Sequence, residues 1–95
     1  VNIRINPDKL SIIHPAVNPD KFFPNQEASK KIREKFNLTN KKIILTLSRL
    51  VERKGIDKVI ESILRVLKEV PEAVYLVGGN GSFKGKLRDI VKSYN

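Results

Sequence analysis

The chain has 95 residues and a formal net charge of +9, from 19 lysines and arginines against 10 aspartates and glutamates. That length makes one small domain or part of one, and the charge favours anionic partners (nucleotides, phosphates, nucleic acid, anionic headgroups) without choosing among them. The absence of cysteine excludes disulfides, thiolate catalysis and cysteine-based zinc sites, and with no run of 18 apolar residues no membrane-spanning helix is expected.

Val1–Ile5 alternates apolar and polar residues, too briefly to assign. Asn6-Pro7-Asp8-Lys9 reads as a turn, because proline fixes φ and Asn and Asp bond their own backbone. Leu10–His14 reads as a short strand. Pro15, Pro19 and Pro24 then forbid a regular element, so this stretch is an extended connector carrying Phe22 and Phe23. Asn25 is placed to cap a short helix over 27–36, with Ala28, Ile32 and Phe36 on one face and Lys30, Lys31, Arg33 and Lys35 giving a very basic outer surface. Asn37–Asn40 ends it.

Ile43-Ile44-Leu45-Thr46-Leu47 is a near-continuous apolar run suited to a strand buried on both faces. Ile56, Val59, Ile60, Ile63, Leu64 and Leu67 give a 3.6-residue stripe, so residues 56–69 form a helix with Pro71 just beyond it. Ala73–Val77 is a second buried-type strand. Gly78-Gly79-Asn80-Gly81-Ser82 turns into a third helix whose apolar face is Leu87, Ile90, Val91 and Tyr94. Strands alternating with helices imply βαβ units and a parallel sheet, hence an α/β fold. The chain opens on Val1 and ends on Asn95 in or near a helical pattern, and so reads as a fragment of something larger.

In open α/β sheets ligands bind outside the carboxyl ends of the strands. Two loops qualify, Ser48–Gly55 and Gly78–Ser82, and both lead into helix N-termini that favour anions. That rim would carry Arg49, Lys54, Gly55, Gly78, Gly79 and Gly81. Arginine can hold two phosphate oxygens at once, lysine supplies a mobile charge, and glycine lets an anion approach the backbone. The set resembles a diphosphate grip. Basic residues in a +9 chain are, however, mostly solvated, and glycines after a strand are often plain turns. Nor is the glycine run a complete dinucleotide fingerprint, since Lys84 stands where the third glycine of G-x-G-x-x-G belongs.

Taken together, "SRLVERKGIDKVIES" and, downstream, "YLVGGNGS" resemble the nucleotide-sugar-binding domain of the GT-B glycosyltransferases of the "glycosyl transferases group 1" family. That family reads GRL-V-x-x-KG-x-D-x-x-I-x-A and then a strand ending in V-G-x-G-P. Upstream, "KLSIIHPAVNPDKFFP" is similar to the family's interdomain segment. Ser48, Ala16, Asn18 and Ser82 depart from the family's usual Gly, Gly, Asp and Pro.

The resemblance implies a partial Rossmann-like domain, half of the C-terminal GT-B domain, with residues 1–24 as interdomain connector and 25–95 as the first half of the nucleotide-sugar domain. It implies that Arg49 and Lys54 contact the donor diphosphate and stabilise the leaving nucleoside diphosphate, with Gly55, Gly78, Gly79 and Gly81 lining the donor site. It further implies transfer with retained anomeric configuration, needing no metal and no cofactor beyond the nucleotide-diphosphate sugar itself; no Asp-x-Asp occurs. The family's catalytic-side histidine and acceptor pocket belong to its first domain, and His14, in the connector, takes no such role.

Two readings of different class stand side by side. One is a glycosyltransferase piece, inactive alone, with a sugar-donor partner and a sugar or lipid-linked acceptor. The other is a non-enzymatic basic module docking nucleic acid or an anionic membrane. Phe22, Phe23, Phe36 and Phe83 are expected to face the core rather than to stack bases, so no nucleic acid is expected. The expected location is cytoplasmic, with the parent in peripheral contact with the inner membrane face, and a sheet edge left open to a second copy.

Overall fold

The computed structural model describes residues 4–94. Five regular elements occur in order: α1 (Gln26–Lys35), β1 (Lys42–Leu47), α2 (Ile56–Glu69), β2 (Ala73–Gly78) and α3 (Lys84–Ser93). The sheet has two strands, β1 and β2, paired in parallel. The architecture is thus α/β, a small parallel sheet with flanking helices, as the alternating pattern predicts.

Residues 4–25 precede the first of these elements. The Asn6 side chain accepts a hydrogen bond from the Asp8 N–H at 3.0 Å, starting a single 3-10 turn, Pro7–Lys9. Asn18 makes a second turn through Oδ1, which accepts from the Asp20 N–H at 2.9 Å. Every residue from Arg4 to Ile32 is exposed. The strand expected at Leu10–His14 does not form: no neighbouring chain offers its backbone a ladder, and Ile12 and Ile13 stand in solvent. The expected alternation over Val1–Ile5 lies mostly outside the described residues. The long tail lifts the radius of gyration to 19.2 Å, against about 12 Å for a compact chain of this length.

Asn25 caps α1 as its sequence position predicts, accepting from the Ala28 N–H at 2.9 Å. The helix stops where Asn37 (φ 54°) and Asn40 (φ 62°) turn left-handed, a conformation asparagine tolerates better than most residues. Arg33 then ties the helix to the segment leading into β1. Its Nη1 donates to the Leu38 carbonyl at 3.3 Å and to the Lys41 carbonyl at 2.9 Å, and Leu38 is buried.

The β1–α2–β2 crossover holds the core. Leu50, Ile56, Ile60 and Leu87 form one buried cluster, with Tyr75, Phe83 and Ile90 packed against it. Ile56 is the most secluded, at 1% exposure. Thr46 Oγ1 and Tyr75 Oη share a hydrogen bond of 2.8 Å across the strands. At the other end Lys42 pairs with Glu72 at 3.4 Å. A backbone hydrogen bond at Glu72, and then the Lys42 ammonium, hold the Glu72 carboxyl below its ordinary range.

Two expectations fail, for a common reason. β1 is not buried on both faces: Leu47 is 74% exposed and Leu45 is open too. Helices α2 and α3 cover one face, while α1 meets the other only across an open groove lined by Phe23, Ala28, Ile32, Ile43, Leu45 and Leu76. Nor do three of the four phenylalanines face a core. Phe22, Phe23 and Phe36 are exposed, and only Phe83 packs inward. Lys21 and Lys35 instead place their ammonium groups 5.6 Å from the ring centres of Phe22 and Phe36. Burial on both faces needs a layer on each, and the described residues supply only one full layer.

Ile56→Ala empties the best-buried position and is expected to cost about 2–5 kcal/mol in denaturant unfolding. Gly85, in the first turn of α3, has nothing within 4 Å of where a Cβ would stand. Gly85→Ala is therefore expected to stabilise by about 0.5–1 kcal/mol, read as a raised Tm.

Candidate functional site

Beyond Leu47 and Gly78, the last paired residues of the strands, the two chains do not separate. The Ser48 N–H donates to the Gly78 carbonyl at 3.2 Å, and the Leu50 N–H to the Asn80 carbonyl at 2.8 Å. The chain then returns the bond: the Phe83 N–H donates to the Leu50 carbonyl at 2.8 Å. Arg49 lies between the two bonded residues Ser48 and Leu50. Its backbone is held on both sides while its side chain is exposed.

This approach works only because side chains are missing opposite it. A Cβ on Gly79 (φ 131°) would overlap the Ser48 carbonyl oxygen, and one on Gly81 would overlap that of Leu50. Gly78 is less constrained, since its Cβ would press on the movable end of the Leu47 side chain. The glycine run therefore serves first as a seat for the neighbouring loop.

Lys54 ends a 3-10 turn, Glu52–Lys54, that leads into α2. Its N–H donates to the Val51 carbonyl at 3.1 Å, and the Gly55 N–H to the Glu52 carbonyl at 3.0 Å. Gly55 is left-handed (φ 66°) and is the N-cap of α2, with open space around it. No side chain caps α2, and none caps α3 at Phe83. Both helix starts thus keep backbone N–H groups unclaimed by side chains at the same end of the sheet.

The salt bridges among the described residues are Lys31–Glu27, Lys42–Glu72 and Lys58–Glu61. Neither Arg49 nor Lys54 takes part. Two exposed cations and two helix starts without side-chain caps thus lie on the connections at the carboxyl end of the parallel pair, and neither cation lines any of the surface cavities among the described residues. Arg49, Lys54 and Gly55 sit on one connection, and Gly78, Gly79 and Gly81 sit on the other or at its start. The backbone bonds above bring these two connections together. His14 is far along the exposed tail in sequence and in none of these contacts.

Sequence reasoning missed Asn80 and Leu50. Asn80 Oδ1 accepts from the Gly81 N–H at 3.0 Å, while its carbonyl holds Leu50. An asparagine between two glycines signals local backbone bonding, but not which distant residue its carbonyl will meet. Leu50 looks like a loop residue in the sequence and is 4% exposed in the structure. It anchors the loop to the core directly after Arg49.

Comparison with known proteins bears on the same residues. The family model for glycosyl transferases group 1 matches residues 28–95. A GDP-mannose-dependent alpha-(1-6)-phosphatidylinositol monomannoside mannosyltransferase of Mycolicibacterium smegmatis is 32% identical over 74 residues, covering 78% of this chain and 19% of that protein. Its namesake from Mycobacterium tuberculosis H37Rv is 30% identical over 81 residues, covering 85% and 21%. A subunit of the Homo sapiens phosphatidylinositol N-acetylglucosaminyltransferase is 31% identical over 90 residues, covering 95% and 17%. The chain spans about a fifth of the length of these relatives, and no solved structure gives a significant match. The matched span runs from α1 through both strands to the end of α3 and takes in both connections of the site; this chain belongs to the glycosyl transferases group 1 family.

Proposed function

We propose that this chain supplies part of the donor diphosphate site of a glycosyltransferase that moves a sugar from a nucleotide-diphosphate sugar to an acceptor hydroxyl, with retained anomeric configuration. The observation that carries the proposal is the setting of Arg49. Its backbone is clamped at the carboxyl end of β1, its side chain is exposed, and no acidic residue among those described neutralises it. Residues 1–24 are then the connector between two domains, and residues 25–95 the first half of the nucleotide-sugar domain.

The chemistry is dictated by charge. As the bond between the sugar's anomeric carbon and the β-phosphate oxygen breaks, its electron pair stays on that oxygen. The acceptor oxygen bonds to the anomeric carbon on the face that the diphosphate leaves, and its proton then passes to the departing β-phosphate oxygen. Negative charge therefore grows on the departing diphosphate, where Arg49 and Lys54 stabilise it more in the transition state than in the bound donor. The uncapped start of α2 adds partial positive charge on the same side. Phosphatidylinositol stands in the names of all three relatives, and a lipid of that class is the acceptor we propose. The names differ in the sugar, so the donor is proposed at the level of the nucleotide-diphosphate class.

A lipid acceptor would bring the protein to a membrane surface. Among the described residues no helix is long and apolar enough to cross one. Exposed Phe22 and Phe36, each with a lysine over its ring, favour the second reading, a basic face that meets anionic lipid. Enzyme and surface contact are compatible in one protein.

Titration calorimetry of the full-length protein with GDP and UDP tests the donor site. Arg49→Ala and Lys54→Ala are each expected to weaken the tighter nucleotide about 10- to 100-fold, the range for a lost charge-assisted hydrogen bond. Unchanged affinity in both variants, alongside salt-steep binding to DNA or anionic vesicles, would favour the binding module over the enzyme.

A further inference from the structure

We infer that Gly79 and Gly81 are positioning residues for Arg49, acting through its backbone rather than by touching the donor. The inference rests on the proposed role of Arg49 and goes a step beyond it. The peptide leading into Arg49 carries the Ser48 carbonyl, whose oxygen occupies the space where a Cβ of residue 79 would be. The peptide leaving Arg49 carries the Leu50 N–H, bonded to the Asn80 carbonyl at 2.8 Å. One residue on, the Leu50 carbonyl fills the space where a Cβ of residue 81 would be, and accepts from the Phe83 N–H at 2.8 Å. Each peptide plane flanking Arg49 is therefore set by the glycine loop.

The guanidinium sits at the end of a long stem, so the two peptide planes at its base set where that stem starts and which positions it can reach. Displacements near 1 Å at a reacting group cost on the order of 100-fold in rate. A glycine whose purpose was to admit a phosphate would leave open space in front of its Cα, as Gly55 does. At Gly79 and Gly81 that space is already taken by protein backbone. The loop after β2 is thus the template for the loop after β1, and Asn80, which bonds Leu50 with its carbonyl and Gly81 with its side chain, keeps the template in shape.

A double-mutant cycle in the full-length protein tests this, with nucleotide affinity (GDP or UDP, whichever binds tighter) and Tm read in parallel. Gly81→Ala is expected to weaken nucleotide binding tenfold or more, and to add less than twofold in an Arg49→Ala background, while its loss of Tm persists in both backgrounds. Asn80→Ala leaves both glycines in place and carries the same cycle with a smaller effect should Gly81→Ala fail to fold. Ser93→Ala, at the opposite end of α3 from the loop, should leave affinity unchanged. A Gly81 or Asn80 effect of full size in the Arg49→Ala background would overturn the inference by showing that the loop meets the donor itself. No loss on Arg49→Ala alone would instead remove the donor-site reading, and the inference with it.

Discussion

The parallel register of β1 and β2 is the constraint on which the rim depends. Six residue pairs, from Lys42 with Ala73 to Leu47 with Gly78, bring both strands to an end at the same level. The next residues of each chain are then forced to be neighbours. Shifting that register by one residue would turn Thr46 and Tyr75 away from each other, unseat the Leu50–Asn80 bond, and set side-chain-bearing positions against the carbonyls that now rest on glycine. Local geometry at the rim is therefore a consequence of a pairing made several residues away.

Electrostatics at the rim is shaped by where acidic groups stand as much as by the cations themselves. The chain carries ten acidic residues, yet the three ion pairs among described residues engage Glu27, Glu61 and Glu72, on α1, on α2 and beside the start of β2. Those pairs are exposed and contribute little to stability. Glu52 and Asp57 do stand at the carboxyl end of the sheet, on the turn before α2 and in its first turn, yet neither forms an ion pair with Arg49 or Lys54. A basic chain with this distribution draws in anions over a distance of roughly a Debye length, about 8 Å in physiological salt, before any specific contact forms.

Much of this is legible in the residue order. Periodicity places α2 and both strands to within a residue or two, and the presence of α3 though not its bounds, because the apolar stripe of Ile56, Ile60 and Ile63 and the β-branched run at 43–47 leave little choice. Asn25 and the asparagines at 37 and 40 announce where α1 begins and ends. The failures share a physical origin. An apolar run such as Leu10–His14, or a pair such as Phe22-Phe23, states that burial would be favourable; it does not state that a partner is at hand. The glycine loop misleads in a different way. Its lack of side chains suggests room for an anion, whereas the room at Gly79 and Gly81 is filled by the carbonyls of Ser48 and Leu50. That contact joins residues far apart in the chain, and no local pattern encodes it.

The two most informative positions in the molecule alternate in character along a few residues: Arg49 is followed at once by buried Leu50, and Lys54 is followed, after Gly55, by Ile56, the most secluded side chain of all. Solvent-facing charge and anchoring hydrocarbon share the same short segment of main chain. A survey of variants scored only by function would rank Leu50 and Ile56 with Arg49 and Lys54, although their side chains are buried in the core. Engineering that aims to retune the rim has to work around these two anchors, because here loosening the scaffold and dulling the chemistry are one and the same event.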